Sequence, residues 1–303
     1  MLTMDDISQT APSADLDEVL CSPVLIVGSP RSGTTWVQRL LLSHPAIRGG
    51  HESNFFSAFA PVLQTFRRGQ SPGRLVGLAN YWTEDQLLEE IRSLWCRMMT
   101  PFVHQSNGEC RLVLEKTPEH SMYMPEISQI VPGVRFIHVI RDSRAVVASM
   151  LAAGNEEWAK SWAPVSARDA TIWWYRYVNA ARRFGRTLPP DKYIEVHYED
   201  LLADPVAGLS RLLQFLGLPL PLERVTEIAG EQSFEKQKTM GGTPFDRKGE
   251  MAGAGKIAEP PGFFRSGQAD SWRRELTLRQ KLTVWRYSRK LMAECGYSWG
   301  GRV

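Results

Sequence analysis

Two stretches of the chain collect side chains suited to holding anions. In the first, Gly28-Ser29-Pro30-Arg31-Ser32-Gly33-Thr34-Thr35, two glycines frame a cation and a run of hydroxyls, directly after the apolar Val24-Leu25-Ile26-Val27. A buried strand that turns at glycine into a helix aims backbone N–H groups and the positive helix end at one point, so a phosphate-like group belongs there. Gly28 and Gly33 have the spacing of the nucleoside-triphosphatase loop, but Thr34 stands where that loop carries lysine, and the loop's cation is Arg31. A kinase built this way would lack the lysine that reaches its β/γ-phosphates. A plain glycine turn with an incidental arginine is the competing reading; the strand–helix context and the Thr34-Thr35 pair favour a cradle of non-triphosphatase type. In the second stretch, Val134–Ile140 reads as a strand that delivers Arg141-Asp142 at its carboxyl end, where open α/β sheets bind ligands. A helix starting at Ser143 would bring Ser149 round two turns later, so that Arg141 and Ser149 could flank a second phosphate. Taken alone, the Arg-Asp pair could equally be a surface ion pair.

These groups need a scaffold, and the apolar pattern supplies one. Thr35–Ser43 has Trp36, Val37, Leu40 and Leu41 at helical spacing, and His44-Pro45 ends it because the residue before proline leaves the helical region. Arg111–Leu114, Val134–Ile140 and Tyr193–His197 read as further buried strands. Helical periodicity marks Trp82–Met99, Ala170–Arg183, Pro205–Leu216 and Leu276–Cys295. Such alternation predicts an α/β fold, a mostly parallel central sheet flanked by helices. Residues 22–303 are expected to form one domain after a polar, flexible leader at 1–21. Residues 236–262, rich in glycine, proline and charge, read as a long mobile loop that could act as a lid.

Bulk properties narrow the function classes. The chain has 303 residues, 36 basic and 33 acidic, for a formal charge of +3, with no basic stripe of the kind nucleic-acid binding needs. Cys21, Cys96, Cys110 and Cys295 are far apart in sequence and form no zinc or disulfide spacing, so reduced thiols are expected. The first twenty residues carry acids and no apolar run, and nothing downstream approaches the ~18 apolar residues of a membrane span. A cytoplasmic protein without membrane or nucleic-acid partners is the expectation, with its oligomeric state open.

The loop GSPRSGTTW closely resembles the 5′-phosphosulfate loop of the sulfotransferases that use 3′-phosphoadenosine 5′-phosphosulfate (PAPS). The resemblance extends over about residues 22–298 and implies a P-loop-like fold. It implies PAPS as donor and 3′-phosphoadenosine 5′-phosphate (PAP) as product, held at Arg31, Ser32, Gly33, Thr34 and Thr35. VIRDSRAVVASM is similar to the family's 3′-phosphate site, which would give Arg141 and Ser149 that task. Phe263-Phe264-Arg265-Ser266-Gly267, followed by Trp272, resembles the segment that closes over the same phosphate, with Ser266 where lysine is usual. Arg265, Ser266 and Gly267 are therefore candidate ligands. YIEVHYEDLLADP is similar to the family's strand, tyrosine and helix passage, so Tyr198 either contacts the nucleotide or is a core tyrosine.

Sulfuryl transfer requires a base for the acceptor hydroxyl and cations for the leaving phosphate. Arg31 and Lys116 are the candidate cations, and no metal is demanded. Cytosolic members use a histidine base in a KTH-type segment; the aligned Lys116-Thr117-Pro118 has none. Other members use a glutamate after the HP that follows the first helix, and His44-Pro45 leads here to His51-Glu52. The resemblance thus makes Glu52 the base, His51 the fallback and His120 a weaker third. Phe55, Phe56, Trp82, Trp95, Trp158, Trp162, Trp173 and Trp174 are candidates for the acceptor pocket, of which only a minority should touch substrate. A small-molecule hydroxyl or phenol is the expected acceptor, with a peptide tyrosine second. A nucleotide kinase and a non-catalytic nucleotide-binding module are the rival readings; the latter would have no use for Glu52.

Overall fold

The computed structural model describes residues 16–71, 73–104, 109–233, 236, 263 and 267–302. Its frame is a five-stranded sheet of β1 (Val24–Gly28), β2 (Ile47–Gly49), β5 (Leu112–Lys116), β6 (Arg135–Ile140) and β7 (Tyr193–His197). The order is β2-β5-β1-β6-β7, and every pairing in it is parallel. Two small hairpins, β3–β4 (Gln70–Ser71, Arg74–Leu75) and β8–β9 (Tyr297–Ser298, Gly301–Arg302), stand apart from it. The central strand β1 is buried throughout, as its unbroken apolar sequence requires when helices cover both faces. Because β5 lies on one side of β1 and β6 on the other, the chain switches direction beside β1 and opens a crevice at the strands' carboxyl ends.

Helices fill both faces. On one, α3 (Phe55–Arg68), α4 (Glu84–His104) and α5 (Met124–Ile130) pack Phe56, Leu63, Trp95 and Ile127 against Leu25, Val27, Val113 and Phe136. On the other, α2 (Thr34–Leu42) and α9 (Pro205–Leu216) bury Val37, Leu40, Leu41, Leu209 and Leu213 against Ile26, Leu114 and Ile137. A third cluster joins α6 (Ser143–Ala153), α7 (Ala167–Gly185) and the helix Leu278–Glu294, which starts with a Thr277–Gln280 capping box. The sequence reading did not foresee α3. Pro61 inside it hides it, although its apolar residues fall on one face.

The leader is shorter than expected. Leu16–Cys21 forms α1, with Val19 and Leu20 buried and the Leu20 carbonyl accepting from the Trp95 indole at 3.1 Å. Two apolar side chains are enough to dock so short a helix once a tryptophan supplies the hydrogen bond. The expected loop at 236–262 lies, apart from Lys236, outside the described residues. The four cysteines are free, yet folding brings two together: Cys21 and Cys96 share a thiol hydrogen bond, and burial pushes the Cys96 thiol up to about 11.

Behind the sheet's working edge sits a fully buried arginine. Arg144 pairs with both carboxylate oxygens of Asp142, at 3.0 and 2.6 Å, and lies 3.9 Å over the Trp272 ring. Its remaining N–H groups reach the carbonyls of Ser298 and Trp299, so one guanidinium fastens the terminal hairpin to the turn after β6. The charge is tolerable because every side of it is answered.

On β6 itself, His138 is fully buried; its Nδ1 lies 2.7 Å from the Tyr193 hydroxyl, which in turn donates to Glu195. Burial pushes the imidazole down to about 3, against the pull of Glu195. The unfolded chain protonates His138 near 6.5 while the folded chain keeps it neutral, so stability should fall as pH drops below 6.5 and level off near 3. At pH 5 the loss should be about 2 kcal/mol. Urea midpoints at pH 7 and pH 5 measure it, and His138→Gln should remove that share of the difference, leaving the share of His197, which burial lowers to about 4.

Candidate active site at the carboxyl edge of the sheet

The loop after β1 is held open by its backbone. Gly28 has φ +147° and Gly33 φ +95°, and Arg31, at φ +69°, is a rare non-glycine residue in the left-handed region. A Cβ on Gly28 would lie 2.4 Å from the Val139 carbonyl, and one on Gly33 2.4 Å from the Tyr198 ring. The Gly28 N–H donates to Ser121 Oγ at 2.8 Å, which ties the loop to the segment after β5. The first amides of α2 have no intrahelical acceptor, and Gly33, Thr34 and Thr35 line a cavity in front of them. Ser32 Oγ is buried without a hydrogen-bond partner among the described residues. Such an orphaned hydroxyl, beside a helix start, fits an anionic oxygen.

Arg141 leaves the end of β6 and lies 4.1 Å over the Tyr198 ring, with Nη1 and Nη2 each 3.3 Å from the carbonyls of Arg31 and Gln268. Its Nε is buried and unpartnered among the described residues, and the Trp174 indole fixes its carbonyl at 2.9 Å. Ser149, two turns into α6, faces the same cavity. Tyr198 is buried in the core and also forms cavity wall between Gly33 and Arg141.

Arg31 turns away from its own loop. Its guanidinium crosses to the second site, with Nε donating to Ser149 Oγ at 3.0 Å and Nη2 to the Phe263 carbonyl at 2.6 Å. It lies 4.4 Å from the Phe263 ring centre and 5.5 Å from that of Trp158, both weakly attractive to a cation. Lys116, the other candidate cation, is nearly fully buried and pairs with Glu52. Glu52 itself is half-exposed to the cavity. His51 also lines it; burial, then the Lys116 charge, lowers its imidazole below the usual range, so it is neutral at neutral pH. His120, the third base candidate, is completely buried and faces Glu115 rather than the cavity. Its position beyond the aligned residue puts it behind the strand end.

One cavity of 970 Å³ joins these groups. Beyond Glu52 its wall is made by Gln64, Met122, Tyr123, Trp173, Arg176 and Tyr177. Burial pushes the Tyr177 hydroxyl up to about 12, so it remains a neutral donor. Of the proposed aromatics, Trp158, Trp162 and Trp173 line the cavity, whereas Phe56, Trp95 and Trp174 are core, Phe55 packs on Phe59 and Trp82 is exposed elsewhere. Tyr123, Arg176 and Tyr177 were missed because they occupy the polar face of their elements, which reads as solvent-facing. Gly267 is in the wall, in the left-handed region at φ +61°; Arg265 and Ser266 lie outside the described residues. Among the described residues no group of His, Cys, Asp and Glu could hold a metal ion, and no helix is long and apolar enough to cross a membrane.

The chain is similar to known proteins. Residues 23–222 match the profile of the sulfotransferase family. Protein-tyrosine sulfotransferase 1 of Danio rerio is 27% identical over 197 residues, covering 65% of this chain and 53% of the relative. The omega-hydroxy-beta-dihydromenaquinone-9 sulfotransferase of Mycobacterium bovis is 27% identical over 246 residues, covering 65% of this chain and 63% of that protein. The chain thus spans between half and two thirds of the length of these relatives. A mouse sulfotransferase solved in complex with PAP shares the fold, with a TM-score of 0.58 at 12% identity over 91% of this chain and 87% of its own.

The tight contact of Gly33 with Tyr198 can be tested directly. Gly33→Ala combines a forbidden backbone angle with a clash against a buried ring and should cost about 1–3 kcal/mol in urea unfolding. Gly73→Ala, which also has positive φ but open space around it, is the control that isolates the backbone share.

Proposed function

The chain belongs to the sulfotransferase family, and on that footing we propose that it moves a sulfuryl group from PAPS to the hydroxyl of a small acceptor, with Glu52 as general base. The observation that carries this reading is the Lys116–Glu52 pair, which stands in the same cavity as the phosphate loop and Arg141. A nucleotide-binding module would need the loop and the arginine but not a carboxylate poised beside a buried lysine. A kinase would need the loop lysine that Thr34 replaces.

In this reading the amides and hydroxyls of residues 32–35 receive the 5′-phosphate, and the orphaned Ser32 Oγ finds its partner there. Arg141 and Ser149 take the 3′-phosphate, with Arg31, already on Ser149, drawn between the two groups. The Tyr198 ring supports Arg141 and lies along the nucleotide. By the resemblance, Arg265, Ser266 and Gly267 are further ligands of the same phosphate. Glu52 takes the proton from the acceptor hydroxyl as its oxygen bonds to sulfur. The bond from sulfur to the phosphate oxygen breaks, and the Lys116 ammonium, released from Glu52, meets the charge that develops on that oxygen. PAP is the product. His51 is the base should Glu52 prove dispensable.

The aromatic wall of Tyr123, Trp173 and Tyr177 supports an acceptor with a flat or apolar body, a phenol above all. A peptide tyrosine is the second reading, favoured by the likeness to the Danio rerio enzyme.

PAP should raise the melting temperature more than ATP, ADP or AMP, because a ligand that binds only the folded chain stabilises it. Arg141→Ala should abolish that selectivity, and a preference for ATP would sink the proposal. With PAPS offered alongside 2-naphthol, an aliphatic alcohol or a tyrosine peptide, Glu52→Gln should retain PAP binding and lose about 10²–10⁴-fold in turnover.

A further inference from the structure

A second carboxylate lies directly beneath the base loop, and neither of its oxygens faces the cavity wall. Glu115, next to Lys116 in β5, is 2% exposed. Its Oε1 accepts from the Ser53 N–H at 3.0 Å, from Ser53 Oγ at 2.9 Å and from Thr117 Oγ at 2.5 Å. Its Oε2 lies 3.0 Å from Nδ1 of the wholly buried His120. Thr117 Oγ in turn accepts from the Asn54 N–H at 3.3 Å, and Ser53 Oγ from the Phe55 N–H at 3.1 Å. The residues following Glu52 are therefore bolted to the end of β5. Asn54 sits there in the left-handed region at φ +52°, a conformation that needs such support.

Successive residues of a strand point to opposite faces. Lys116 accordingly reaches the Glu52 carboxylate while Glu115 grips the backbone just after it. Burial by itself would raise the Glu115 carboxyl, but His120, Thr117 and the Ser53 amide more than offset that and hold it below the usual carboxylate range. It remains an ionised acceptor for several donors at once, the condition under which a buried carboxylate is stable.

We propose that Glu115, backed by His120, is the positioning residue for Glu52: by fixing the Ser53 and Asn54 amides it holds the Glu52 backbone still, so that only the side chain moves between Lys116 and the acceptor. The inference rests on the reading of Glu52 as base. Glu115 touches neither donor nor acceptor, so its loss must act through orientation, where a displacement of about 1 Å can cost on the order of a hundredfold in rate.

The test is a double-mutant cycle on kcat with PAPS and 2-naphthol, or whichever acceptor of the panel above is sulfated. Glu115→Gln should lower kcat about 10–100-fold, with the KM for PAPS and the Kd of PAP within about threefold of the parent. In the Glu52→Gln background the same change should cost less than about threefold, because there is no base left to misplace. If Glu52→Gln is inactive and Glu115→Gln keeps full kcat, the positioning role falls and the proposed function stands. Equal fractional losses in both backgrounds would also overturn it, since Glu115 would then act independently of Glu52. If Glu52→Gln keeps full kcat, the base assignment falls and takes the inference with it.

Hydrogen exchange gives a readout that needs no acceptor. Glu115→Gln should speed exchange at the Ser53 and Asn54 amides and leave β1 and β6 protected; unchanged protection at 53 and 54 overturns the proposal. Should Glu115→Gln fail to fold, Ser53→Ala, which removes one bond to Glu115, carries the same cycle with an expected loss of about three- to tenfold.

Discussion

Everything at the site depends on the parallel ladder that places β1 between β5 and β6. Ile26 is paired with Lys116 on one side and Ile137 on the other, and Gly28 with Val139. That register brings the ends of three strands to a single edge, so that Gly28, Lys116 and Arg141 emerge side by side although more than a hundred residues separate the first from the last. A slip of one residue would turn every side chain of a strand to the opposite face and exchange Lys116 with Glu115. The ladder cannot slip because both faces of β1 are packed, with Leu25 and Val27 in one apolar cluster and Val24 and Ile26 in the other.

Around that edge the protein concentrates its buried charge. Arg144 is enclosed by Asp142, Trp272 and two carbonyls; Glu115 by Ser53, Thr117 and His120; Arg182 by Glu195 and the Glu294 carbonyl. Breaking such groups apart is costly, yet intact they add little net stability over apolar packing, so their value lies in fixing geometry. Each one fastens a segment that bears on the cavity. Arg144 binds the terminal hairpin to the turn carrying Arg141, and Glu115 binds the segment after Glu52 to the strand carrying Lys116. The groups facing the cavity are treated differently. Ser32 Oγ and Arg141 Nε lack partners among the described residues, and Lys116 and Glu52 have chiefly each other. Charged groups held by several partners thus stand behind the cavity, and a ligand entering it would supply hydrogen bonds to Ser32 Oγ and Arg141 Nε.

The cavity wall shows the same economy in its aromatics. Trp95 and Trp174 are wholly buried and hold helices against the sheet, and each uses its indole N–H to fix a backbone carbonyl, at Leu20 and at Arg141. Trp158, Trp162 and Trp173, of the same residue type and similar spacing, face the cavity instead. Trp158 has a buried indole N–H with no partner among the described residues, and its ring lies beside Arg31. Residue type set the size and polarity of these side chains; the helix face on which each fell set its use.

The sequence by itself determined the architecture and pointed to two candidate anion sites, because both are local. Apolar runs of strand length, helical periodicity and the glycine-framed loop all act over a few residues, and Arg141 and Ser149 are placed by one strand end and the helix that follows it. It also pointed to Glu52 and Lys116, through the order of motifs along the chain. Only the tertiary structure decided that these two form a pair, that Arg31 leans to Ser149, and that His120 is buried against Glu115. Only the fold brings Cys21 to Cys96 and docks α1 onto Trp95. Each of these is a contact between segments far apart in sequence, and nothing in the type or spacing of a residue says which distant backbone will arrive beside it. The physical reason is that burial and partner charges are properties of the packed whole: a lysine, a glutamate or a tryptophan acquires its role from the groups that folding sets around it.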